Sequence, residues 1–105
     1  MTQKSKHARI AVEYFRSNGQ RNLHGAVTLQ FAPAETYHFR SSASWPEAAD
    51  YTSTVERAVR GVLLERGVID KLSCTLTHVG WDKADSCEDG FALAARAAAR
   101  ALFDD

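Results

Sequence analysis

The chain has 105 residues, 45% of them apolar, with thirteen basic against thirteen acidic side chains. A chain this long can bury roughly 65% of its unfolded surface in a single two-layer core, which excludes a second domain. Its zero net charge excludes the global basic excess by which many nucleic-acid binders are recognised.

Residues 1 to 7 read as a flexible tail and residues 8 to 105 as one domain. Arg9 to Arg16 alternates Ile10, Val12 and Tyr14 with Ala11, Glu13 and Phe15, a strand pattern. Ser17 to Asn22 is a turn cluster, and Ala26 to Ala32 alternates Val27, Leu29 and Phe31 with Thr28 and Gln30 as a half-buried strand does. Pro33 to Thr36 is short enough to lead directly into a third strand over Tyr37 to Ser42, so these three strands are expected to form an antiparallel meander.

Pro46 suits the first position of a helix, with Glu47 and Asp50 complementing its positive end. Tyr51, Val55, Val59, Val62 and Leu63 keep helical spacing up to Gly67, a fitting terminator, with Arg57, Arg60 and Arg66 on the solvent side. Trp45 just before the proline reads as a staple-like apolar contact. Leu72, Cys74 and Leu76 then alternate with Ser73, Thr75 and Thr77 as a fourth strand that buries Cys74. Asp85 or Ser86, each followed three positions later by an acidic residue, forms a capping box for a last helix. Phe91, Ala94, Ala95, Ala98 and Leu102 make its apolar stripe, whose small residues permit close approach to a sheet, while Asp89, Arg96, Arg100 and Asp104 fall off it. The expected order is βββαβα, an α+β two-layer sandwich.

Cys74 and Cys87 lack any metal-ligand spacing, and a core of this size needs no disulfide. No apolar run is long enough to span a membrane, and the polar start lacks a signal-peptide pattern, so a cytoplasmic, membrane-free setting is expected. There is no GxxxxGK[ST] segment, so no nucleotide is expected, nor any cofactor or metal.

Four stretches in order carry a family resemblance: Phe15 to Val27, Tyr51 to Arg60 with Gly67-Val68-Ile69, Leu72 to Leu76, and Asp85-Ser86-Cys87-Glu88-Asp89-Gly90-Phe91. Together they resemble the fourth domain of translation elongation factor G, as a stand-alone domain. The resemblance implies a four-stranded antiparallel or mixed sheet with two helices on one face and a left-handed βαβ crossover, as in the second domain of ribosomal protein S five. It also implies that two loops, here Ser17 to Gly25 and Val79 to Asp85, lie near small-subunit ribosomal RNA. Arg16, Asn18, Gln20, Arg21, His24, Trp81, Asp82 and Lys83 are then the candidate contacts to RNA or a partner. Both loops depart from the family pattern: Gln20 and Asn22 replace glycines, His24 an aromatic, and Asp82 a histidine that approaches RNA, where an acid repels phosphate.

Trp81 has two readings, stacking on a base or sealing the end of the core. His78, Asp82, Asp85 and Cys87 fall within ten positions, but no acid, base and oxyanion donor are evident together, so the chain reads as non-enzymatic. Two functions stay open. One is a translation-associated module contacting ribosomal RNA or a ribosome-bound factor. The other is a protein-protein interaction module that kept the fold and lost RNA binding.

Overall fold

The structure is a computed structural model that describes residues 7–17, 19, 22–46 and 50–104. The six elements are β1 (Ala8–Ser17), β2 (Asn22–Pro33), β3 (Phe39–Ser41), α1 (Thr52–Glu65), β4 (Leu72–Gly80) and α2 (Glu88–Ala101), in the expected βββαβα order. They form a mixed four-stranded sheet packed against two helices, the α+β sandwich anticipated from the pattern.

The first three strands are not a meander. The sheet order is β1-β2-β4-β3, with β1 and β4 antiparallel to β2, and β3 parallel to β4. β4 displaces β3 from β2 because it offers far more pairing: its register runs from Leu72 opposite Pro33 to Gly80 opposite Ala26, against three residue pairs for β3. Leu72, Cys74 and Leu76 on β4 also bury their side chains beside Leu29 and Phe31, which the shorter β3 could not match. Tyr37 falls outside the strand, which is shorter than Tyr37 to Ser42, though Tyr37 and Phe39 do pack on the core while His38 and Arg40 are exposed.

Both helices start later than expected. Pro46 is not helical; α1 begins at Thr52, whose N–H donates to Asp50 Oδ1 at 3.0 Å and whose Oγ1 accepts from Trp45 Nε1 at 2.8 Å. Those two bonds fix the entry, and the Thr52 N–H holds the Asp50 carboxyl below the usual carboxylate range. Glu47 lies outside the described residues. The end is as expected: Gly67 takes φ 71°, its N–H reaches Leu64 O, and Val68 N–H reaches Leu63 O, a Schellman closure that favours glycine. The second helix begins at Glu88 rather than being capped by Asp85 or Ser86, whose side chains point elsewhere.

One face of the sheet and one face of each helix make the core: Val27, Leu29 and Phe31 from β2, Val55, Val59, Val62 and Leu63 from α1, and Phe91, Ala94, Ala95, Ala98 and Ala99 from α2. The alanine stripe lets α2 approach β2 until backbone meets backbone. A Cβ on Gly25 would stand 2.5 Å from the Gly90 carbonyl carbon, and a Cβ on Gly90 would overlap the His24 main chain. No side-chain rotation relieves either collision.

Gly90→Ala is therefore expected to cost about 3 kcal/mol, at the upper end of overpacking penalties, because strand and helix must separate. Gly61→Ala, where an added Cβ meets nothing within 4 Å in the exposed face of α1, should instead stabilise by about 0.5–1 kcal/mol. Urea unfolding of the two variants measures both; equal and small effects would contradict the backbone contact.

Candidate functional site

The β1–β2 hairpin and the segment after β4 meet at one end of the fold. Beyond Gly80 the chain leaves the sheet but stays beside β2, and Ser86 forms a parallel bridge with His24. Cys87 N–H donates to His24 O at 3.2 Å, and Asn22 Nδ2 donates to Asp85 Oδ1 at 3.2 Å. The two loops implied by the family resemblance are thus fastened to each other through main chain and side chain.

His24 is the centre of this junction. Strand β2 starts four residues earlier than the alternation suggested, so His24 is a strand residue, 6% exposed, rather than a free loop contact. Its Nε2 lies 2.9 Å from Glu13 Oε2 on β1 and its Nδ1 lies 2.8 Å from Ser86 Oγ. An ionised carboxylate only accepts, so Nε2 carries a proton; Nδ1 of the neutral ring then accepts from the Ser86 hydroxyl. Ser86 Oγ in turn accepts from the Asp82 N–H at 2.7 Å. The chain Glu13–His24–Ser86, ending on the Asp82 main-chain N–H, ties β1, β2 and the loop together. Glu13–His24–Ser86 has the connectivity of a charge relay, but each bond joins a different structural element, and what the relay holds here is the loop.

The loop is also braced from within. Asp82 Oδ1 accepts from the N–H groups of Ala84 at 2.9 Å and Asp85 at 3.1 Å, and Ser86 N–H returns to Asp82 O at 2.9 Å. Asp82 therefore builds the turn, a role that an acid's short acceptor side chain suits. Trp81 is not available as a free stacking platform: its ring stacks on Phe91 at 5.6 Å and on Tyr51 at 6.1 Å, in a cluster closed by Trp45, which lies 5.0 Å from Phe91. Of its two readings, the structure favours the seal on the core; Trp45, expected as a staple onto a helix starting at Pro46, instead packs edge-on against Tyr51 and against Phe91 of α2.

The remaining candidates divide simply. Arg16 at the end of β1 and Lys83 in the loop are exposed cations at this end. Asn18, Gln20 and Arg21 lie outside the described residues, as does all of the expected tail except His7. The sequence reading missed Glu13 and Ser86. Their only signal was register: once Ser17 faces Asn22, Phe15 faces His24 and Glu13 falls on the same face one step along. A second basic surface, a groove between the helices lined by Arg57, Arg96 and Arg100 with Glu65, also lies outside the candidate set.

The residues of the weak catalytic reading do not converge. His78 is exposed and its Nδ1 turns to Thr77 Oγ1 at 3.0 Å, while Cys87 sits half-buried at the start of α2. Cys74 is 1% exposed, and burial pushes its thiol up to about 12. Among the described residues no cluster of three or more metal-ligating side chains occurs, and no helix is long and apolar enough to cross a membrane.

No family model matches the chain, and no curated protein matches it. Among solved structures it is similar to a crystal structure of a protein from Thermus thermophilus, with a TM-score of 0.78 and 20% identity over 91% of this chain. The chain spans about 15% of the length of that protein. At this identity the likeness establishes the shared fold.

Two outcomes test the junction. His24→Ala should destabilise the chain by about 2 kcal/mol, the scale for leaving hydrogen-bond partners unsatisfied, and should speed amide exchange at Asp82 and Ser86 more than in β4. A thiol reagent at pH 8 should modify Cys87 in the folded protein and reach Cys74 only after denaturation, because Cys74 is both enclosed and protonated there.

Proposed function

We propose that this chain is a non-enzymatic module of the elongation-factor-G domain-four type that contacts ribosomal RNA or a ribosome-bound factor. The observation that carries the reading is the joined pair of loops: Asn22 to Asp85 and His24 to Ser86 fasten the start of β2 to the segment before α2. Arg16 and Lys83 supply exposed cations at this end of the fold. Phosphate contacts of this kind position a module on RNA without reading its bases. The core placement of Trp81 and the turn-building role of Asp82 leave binding to these cations and to loop backbone.

A second reading, a protein-protein interaction module that kept the fold and lost RNA binding, is favoured by the acid beside Lys83. Asp82 repels phosphate where the resemblance would place an RNA contact. The two readings differ in their salt and nuclease behaviour.

Under the first, the chain co-sediments with small ribosomal subunits at low salt, and Arg16→Ala with Arg21→Ala lowers the salt slope of binding by about two, one per lost phosphate contact. Arg96→Ala with Arg100→Ala, on α2 away from the joined loops, leaves that binding unchanged. Absence of co-sedimentation at low salt rejects the first reading, and a specific protein partner outside the ribosome that is retained after nuclease treatment favours the second.

A further inference from the structure

We propose that β1 is the interface of a two-fold symmetric dimer in which the edges of two copies pair antiparallel and join their sheets. β1 stands at one edge of the sheet with β2 as its single neighbour among the described residues. It pairs over ten residues without a bulge and contains neither proline nor glycine, whereas the opposite edge, β3, is three residues long. A long, regular, uncovered edge exposes a row of main-chain donors and acceptors that another strand can complete.

The side chains of β1 select a second copy of the same strand as occupant. A two-fold axis perpendicular to the sheet keeps each residue on its own face, so only registers centred on a residue preserve the layers. With Ala11 on the axis, Arg9 stands opposite Glu13 of the second copy, and Glu13 opposite its Arg9, both on the uncovered face. On the helix-covered face the same register sets Ile10 opposite Val12 and Ala8 opposite Tyr14. Ile10, Val12 and Tyr14 are half-buried at the margin of the core, and pairing continues their apolar row across the edge.

Neighbouring registers lose this match. Centring on Val12 sets Arg9 against Phe15 and Glu13 against Ala11, and centring on Glu13 sets two carboxylates face to face. Glu13 can serve both partners: Oε2 holds His24, its side chain is 72% exposed, and a carboxylate has a second oxygen for Arg9. Ala11 on the axis is small enough to let the strands close.

The test is the mass of the full chain by sedimentation equilibrium across a concentration series. The expected result is a rise from the 11.6 kDa monomer toward twice that mass. Arg9→Glu and Glu13→Arg should each weaken association at least tenfold, since each places like charges opposite one another. An equimolar mixture of the two variants should recover it. In that heterodimer the acid introduced at position 9 faces the arginine introduced at position 13, and the unchanged Glu13 of one copy faces the unchanged Arg9 of the other. Hydrogen exchange of the unmodified chain adds a measurement that needs no variant: protection of β1 amides should increase with concentration while β3 amides stay unchanged. A monomer at every concentration, a dimer untouched by Arg9→Glu, folded variants that fail to recover association on mixing, or protection that does not involve β1 would each overturn the proposal.

Discussion

The contact on which the rest of this molecule depends is the meeting of two stretches of backbone, His24-Gly25 on β2 and Cys87-Gly90 at the start of α2. Neither glycine can accept a side chain without driving the strand and helix apart. Close approach brings the Cys87 N–H onto the His24 carbonyl and leaves Ser86 alongside as a short extension of the sheet. The alanines at 94, 95, 98 and 99 are all buried in the core, and their small side chains suit the close packing of α2.

The loop that precedes α2 inherits its position from that contact. Once Ser86 is fixed beside His24, its hydroxyl can bridge the imidazole and the Asp82 N–H, and the Asp82 carboxylate can close the turn. Trp81 stacks over Phe91 and Tyr51 at the margin of the core. The loop is thus held by hydrogen bonds on one side and by aromatic packing on the other. A surface of this kind presents a fixed shape to a partner and loses little conformational entropy on binding.

Glu13 links this end of the fold to the free edge of the sheet. Its carboxylate accepts from His24, and its Cβ lies on the same uncovered face as Arg9 and Ala11. β1 is therefore braced at the middle by the interior of the hairpin while its outer side stays regular. A braced, unbulged edge is better preorganised for pairing than a frayed one.

Element types were legible because period carries them: alternation in β1, β2 and β4, helical spacing in α1 and α2, and the Gly67 stop are all local properties of the chain. Strand order was not, because β3 and β4 both alternate and only the competition for the edge of β2, decided by pairing length and burial, separates them. Helix starts were misplaced for a related reason. Pro46 and the Asp85-Ser86 pair have the chemistry of caps, but Trp45 and Asp50 fix the first helix from outside it, and Ser86 is drawn to a histidine 62 residues away. The candidate site followed the same division. The sequence marked its two loops and the exposed cations Arg16 and Lys83, since charge and turn residues are read one at a time. That the loops are joined, that His24 is enclosed, that Trp81 belongs to the core and that Glu13 and Ser86 complete the junction depended on β2 and α2 coming into backbone contact, which no local pattern encodes.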